Sequence, residues 1–138
     1  MTSMQKPLAL LLLGCFLASP LQAGEISPLQ IAGATTIRSA QAKDMFDKGI
    51  LFVDVRNDAD WDAGRIPGAL HLDLKTTFSE ASLSAAAGKD EQIVIYCNGE
   101  KCLRSSEGSA QAVGWGFTSI FYFRDGFPAW KAAANPIE

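Results

Sequence analysis

The chain is poor in metal ligands. It has one histidine, His71, and three cysteines in 138 residues. Cys15 falls in an N-terminal leader, so Cys97, Cys102 and His71 supply only three of the four Cys or His ligands a structural zinc site takes, and none is expected. It also lacks a basic run, and its net charge is −3. Nucleic-acid binding has no support in such a balance. There is no Asn-x-Ser/Thr sequon, internal repeat, linker or low-complexity segment. After residue 23 no apolar stretch approaches the length of about 20 residues that spans a bilayer.

What is present begins with a leader. Lys6 gives a positive start, Leu8–Ala18 is a short apolar run, and Pro20-Leu21-Gln22-Ala23 forms a cleavage region. This is the form of a secretory signal peptide over residues 1–23, cut near Ala23, and it predicts a periplasmic or secreted protein. Leu12-Leu13-Gly14-Cys15 loosely resembles a lipoprotein box, so a form anchored through Cys15 is the alternative. Cleavage removes one lysine and no acid, leaving an acidic chain long enough for one domain with a core. It keeps only Cys97 and Cys102. In an oxidising compartment so close a pair is a candidate disulfide.

Residues 24–36 are polar and Gly-rich and read as a loosely held lead-in. Ser39 is placed to cap a helix over 40–48, with Met45 and Phe46 inward. Residues 50–55 form a continuous apolar run ending at Asp54, the pattern of a strand buried on both faces. A helical turn over 57–62, a loop over 64–68, a short strand over 69–72 and a helix over 78–87 follow. Strand 93–96, helix 105–113, strand 119–123 and a closing helix over 127–134 complete the chain, with 135–138 as a tail. Alternating strands and helices predict an α/β fold with a mainly parallel central sheet and helices on both faces. Ligands bind such sheets at the strand C-termini, here Asp54-Val55-Arg56 and Cys97.

The segment Gln92 to Ser105 carries the chemistry. A β-branched run delivers Cys97 into a Gly-containing loop, Cys102 follows, and then a helix begins. A thiol facing a helix N-terminus and inward loop amides is stabilised as thiolate. Its pKa falls from about 8.5 by one to several units. Cys97 therefore reads as a nucleophile or redox sulfur.

Four segments together resemble the rhodanese (sulfurtransferase) family. They are Phe52-Val53-Asp54-Val55-Arg56, Trp61 to Ala69 with Arg65 where His is common, Ile95-Tyr96-Cys97 with Arg104-Ser105, and Gly126-Phe127-Pro128-Ala129-Trp130 with Asp125 before it in place of a Gly. The likeness implies a rhodanese-like three-layer domain over 37–134. It also implies transfer of a sulfane sulfur through a persulfide on Cys97, with no separate cofactor. Common members have four residues between the Cys and Arg-Ser. Here six separate Cys97 from Arg104, and one of them is Cys102.

Backbone amides from Asn98, Gly99, Glu100, Lys101 and Leu103 are the expected cradle for the persulfide sulfur. Cys102 is open to three roles: it resolves the persulfide, forms a stable disulfide with Cys97, or is incidental. Arg104 binds an anionic donor or projects into solvent. Asp54, Arg56 and Arg65 are expected around the pocket, Asp54 as a structural acceptor, Arg56 and Arg65 as substrate-binding candidates, with Arg56 read first as pairing with a carboxylate to brace the loop. His71 and the three tryptophans read as structural. The expected partners are a small sulfur donor, such as thiosulfate or a persulfide, and a protein thiol acceptor, with the chain a monomer. Other classes stay open: a thiol-disulfide oxidoreductase using Cys97 and Cys102, a phosphatase or arsenate reductase, and a non-catalytic persulfide carrier or binding module.

Overall fold

Ile93-Val94-Ile95-Tyr96 carries no charge, and all four residues are buried. A strand sends alternate side chains to opposite faces, so this run needs cover on both. Ile93 and Ile95 join one apolar cluster with Val53, Val55, Leu83 and Ala112. Val94 and Tyr96 join a second with Phe52, Met45, Phe127 and Trp130. Fully burying one such aliphatic side chain contributes about 1.5–3 kcal/mol, so this strand anchors both halves of the core. Continuing the alternation places Cys97 on the same face as Ile93 and Ile95.

These relations come from a computed structural model that describes residues 25–138. The expected signal peptide over 1–23, with its expected cut near Ala23 and the alternative anchor Cys15, lies outside the described residues. In chain order the elements are β1 (Ala34–Ile37), α1 (Ser39–Asp47), β2 (Leu51–Asp54), α2 (Asp58–Ala63), β3 (Leu70–His71) and α3 (Glu80–Ala86). They continue with β4 (Ile93–Tyr96), α4 (Arg104–Gly114), β5 (Ile120–Phe123) and α5 (Gly126–Ala132). The sheet order is β1-β5-β4-β2-β3, and every pairing is parallel. Helices α3 and α4 cover one face, and α1 and α5 the other. The α/β architecture with helices on both faces is thus the observed one. Among the described residues no helix is long and apolar enough to cross a membrane.

Three expectations need correction. Residues 24–36 are not a loose lead-in, because β1 starts at Ala34 and pairs with β5. Ser27 is also buried, and its N–H donates to the Glu100 carbonyl at 2.7 Å. Ser39 is the first residue of α1 rather than its cap. Arg38 takes the cap position, and its N–H donates to Gln41 Oε1 at 3.0 Å. Residues 135–138 fold back on the domain: Pro136 O accepts from Trp130 Nε1 at 2.6 Å, and Glu138 exchanges backbone hydrogen bonds with Arg65.

The order of the sheet locates a crevice. After β2 the chain moves outward to β3, and after β4 it moves the opposite way to β5. The C-terminal ends of neighbouring β2 and β4 therefore send their connections apart, which is the switch point where open α/β sheets hold ligands. Small residues bring α4 close beneath it. Ser105, Gly108, Ser109 and Ala112 recur at helical spacing and are all buried. A Cβ on Gly108 would lie 3.6 Å from Ile95 Cγ2. This close approach aims the N-terminus of α4 at the residue following β4.

Candidate active site

That residue is Cys97, which is fully buried. The Ser105 N–H, in the first turn of α4, donates to Cys97 Sγ at 3.3 Å. Ser105 Oγ lies 3.2 Å from the same sulfur. Cys97 and Cys102 are joined as a disulfide, with Cα atoms 6.4 Å apart. The disulfide sulfur has no proton to give, so in this state the Ser105 hydroxyl is the donor. Both contacts, together with the helix dipole, favour negative charge on Sγ once the disulfide opens.

In this disulfide state the loop amides leave Cys97 Sγ to Ser105. Of the residues Asn98–Leu103, none donates its N–H to Cys97 Sγ among the hydrogen bonds of the described residues. The Cys102 N–H instead donates to Gly99 O at 3.0 Å, closing the loop on itself. Gly99 makes the turn with φ +100°, where a side chain would be strained. The loop is seated on α5. Phe127 N–H donates to Cys97 O at 2.9 Å, and a Cβ on Gly126 (φ +64°) would fall onto that carbonyl.

Arg56 and Asp54 form the wall opposite. Arg56 is 2% exposed and Asp54 is fully buried. Arg56 Nη2 and Nε donate to the Asp54 carboxylate at 2.7 to 3.1 Å, and the Arg56 N–H adds a bond at 2.9 Å. Nη2 also reaches Gly64 O at 2.7 Å, and Nη1 reaches Asn98 Oδ1 at 3.3 Å. The guanidinium lies 4.5 Å from the centre of the Phe127 ring. Burial first, and then Asp54, push the Tyr96 hydroxyl far above its usual range. It stays protonated and accepts the Ile66 N–H at 3.2 Å. Each polar atom here is matched, as a buried ion pair requires.

Arg104 does not project freely into solvent. Its Nη1 donates to Asp73 Oδ1 at 2.6 Å and to Val55 O at 3.2 Å. Burial alone would raise the Asp73 pKa. The Lys75 N–H and Arg104 outweigh that and hold the carboxyl below its usual range. Asp73 was missed in the sequence. The available signal was its place between Leu72 and Leu74 just after a strand, the same setting as Asp54.

Arg65 is not part of this cluster. It lies over the Trp61 ring and pairs with Glu138 Oε1 at 3.3 Å, because the chain after β2 carries it toward the C-terminal segment. His71 stacks on Trp61, and its Nε2 is 2.8 Å from Arg56 O. Asn98 Nδ2 donates to Asp60 at 2.7 Å. Glu100 faces Arg124, whose guanidinium donates to Ser27 O. Lys101 is exposed and in no ion pair among the described residues. A depression of about 400 Å3 lies along the loop, lined by Asn98, Gly99, Glu100, Lys101, Asp125 and Pro128, and Cys97 is not on its wall.

Comparison with known proteins gives a consistent result. The rhodanese-like domain pattern matches residues 39–133. The chain is 32% identical over 93 residues to the thiosulfate sulfurtransferase GlpE of Pseudomonas savastanoi pv. phaseolicola, covering 67% of this chain and 82% of that one. It is 29% identical over 109 residues to the probable adenylyltransferase/sulfurtransferase MoeZ of Mycobacterium tuberculosis, covering 27% of that longer protein. Among solved structures, a Rhodopseudomonas palustris protein of unknown function, described as a possible tyrosine phosphatase, aligns with TM-score 0.62 and 28% identity over 76% of this chain and 85% of its own. The rhodanese-like domain of an Anabaena protein aligns with TM-score 0.65 and 23% identity over 75% of this chain and 77% of its own.

Proposed function

This chain belongs to the rhodanese-like domain family, and from that premise we propose that it is a sulfurtransferase whose Cys97 carries the sulfur. The carrying observation is the setting of Cys97 Sγ. It lies at the sheet's switch point, at the N-terminus of α4, with the Ser105 N–H and Oγ on it. In the reduced protein the Cys97 thiolate attacks the outer sulfur of a sulfane donor. With thiosulfate, the S–S bond breaks and sulfite leaves with the electron pair. The outer sulfur remains on Cys97 as a persulfide, and an acceptor nucleophile then takes it and restores the thiolate. The cysteine carries the group covalently, so the reaction calls for no further cofactor. A protein thiol is a suitable acceptor.

The phosphatase reading is weaker. An oxyanion loop needs a guanidinium turned inward, whereas Arg104 is committed to Asp73 and Val55 O. The leader sequence supports a periplasmic or secreted site of action, where a disulfide between Cys97 and Cys102 would persist between turnovers.

The test is thiocyanate formation from thiosulfate and cyanide by the reduced mature protein. Activity is expected in the wild type and lost in Cys97→Ser. No turnover in the wild type, or equal turnover in the variant, overturns the proposal.

A further inference from the structure

We propose that Cys102 converts this site into a sulfide-releasing persulfide reductase, an inference that rests on Cys97 being the sulfur carrier. The two sulfurs stand within bonding reach across a loop already closed by the Cys102 N–H to Gly99 O bond. The Cys102 thiolate therefore meets the inner sulfur of a Cys97 persulfide, its Sγ. Attack there forms the Cys97–Cys102 disulfide and breaks the bond to the outer sulfur, which leaves with the electron pair as hydrosulfide. The two cysteines are oxidised and the sulfane sulfur is reduced, so the step needs no outside oxidant.

The next step is set by exposure. Cys97 is fully buried, whereas Cys102 is only partly buried and lies at the rim of its apolar cluster. An external thiol reaches Cys102 Sγ first. Attack at Cys102 also expels the better leaving group, because the Cys97 thiolate is received by the Ser105 N–H and hydroxyl at the head of α4. A second thiol, most simply that of the same dithiol reductant, then displaces the first from Cys102. It becomes a disulfide and returns both cysteines to the thiol form. The reductant is therefore a dithiol of small size or a protein dithiol able to touch the loop rim. The arginines nearest the loop are already engaged: Arg56 by Asp54, Arg104 by Asp73 and Arg124 by Ser27 O. The loop is accordingly better furnished for thiol exchange than for gripping an anion.

The experiment loads reduced, desalted protein with limiting thiosulfate under anaerobic conditions, since the product sulfite is not a thiol. Free sulfide and intact mass are then followed. The wild type is expected to release about one sulfide per loaded chain and to end about 2 Da lighter than the reduced protein. Cys102→Ser is expected to retain about +32 Da and release none. A wild type that keeps its persulfide as long as Cys102→Ser overturns the inference while leaving Cys97 as carrier. A failure of both proteins to load overturns the carrier reading and the inference with it. A second arm needs no variant: the oxidised wild type is treated with glutathione, quenched by alkylation and mapped. Glutathione on Cys102 with the alkyl group on Cys97 supports the scheme, and glutathione on Cys97 contradicts it.

Discussion

The turns after β2 and β4 leave the same edge of the sheet side by side and are built on opposite plans. The β2 turn is saturated. Every polar atom of the Asp54–Arg56 pair is engaged, with side chains 0% and 3% exposed. The β4 turn holds a sulfur with one backbone donor and one hydroxyl, inside a loop that bends at a glycine. The two are tied together by Val55 N–H to Tyr96 O at 3.2 Å, Arg56 Nη1 to Asn98 Oδ1 at 3.3 Å and Arg104 Nη1 to Val55 O at 3.2 Å. The saturated turn supplies rigidity and the sparse one supplies reactivity. A nucleophile needs a fixed position and an unspent lone pair, and this chain divides those needs between neighbouring strand ends.

The comparison breaks most strongly at Arg56. Arg56→Ala strands the Asp54 carboxylate without its cation in the interior, and urea or thermal unfolding should report a loss of about 3–5 kcal/mol. Asp54→Asn in the same background should recover part of it, because the unpaired charge is then gone. A loss under 1 kcal/mol would mean the pair is not the rigid element claimed.

A smaller effect is expected at Asp73, which connects the two turns through Arg104. Asp73→Asn should cost about 1 kcal/mol, since the partly buried ion pair becomes a neutral hydrogen bond. The pH dependence follows from the depressed Asp73 pKa. Its contribution is present at neutral pH and is lost as pH falls below the unfolded value of about 3.9 and through the lower folded one. The wild type should thus lose its advantage over Asp73→Asn in acid. A difference that persists unchanged below that range would assign the stabilisation to packing.

The finest adjustment is Ser105→Ala, which removes the hydroxyl from Cys97 Sγ and leaves the N–H in place. Thiosulfate turnover at neutral pH should fall about 2–5-fold, matching roughly 0.5–1 kcal/mol for one hydrogen bond. The pH–rate profile should move upward, because the thiolate is less stabilised. An unchanged profile would mean that the backbone N–H and helix dipole suffice.

The sequence announced these two turns unequally. Strands β2 and β4 were legible because continuous apolar runs ending at Asp54 and Cys97 have few other uses in an α/β chain. Both the ion-pairing of Arg56 and the helix after the cysteine loop were readable from local order. Strand β1 was not: Thr35 and Thr36 make it look polar, and at the sheet edge its identity comes from pairing with β5, far along the chain. The Asp73–Arg104 bridge was hidden for a similar reason, since Asp73, just after β3, and Arg104 of α4 meet only once the crossovers are made. Arg65 misled because it lies on a loop expected near the pocket, while Trp61 and Glu138 hold its side chain elsewhere.

The most direct test of the division between the two turns is to find the residue that bears the sulfur. Reduced Cys102→Ser is treated with thiosulfate, alkylated and digested, and the peptide carrying the extra sulfur is identified by mass spectrometry. The extra sulfur is expected on the Cys97 peptide, at about +32 Da. An unmodified Cys97 in this variant, with the extra sulfur appearing on Cys102 in the wild type, would contradict it.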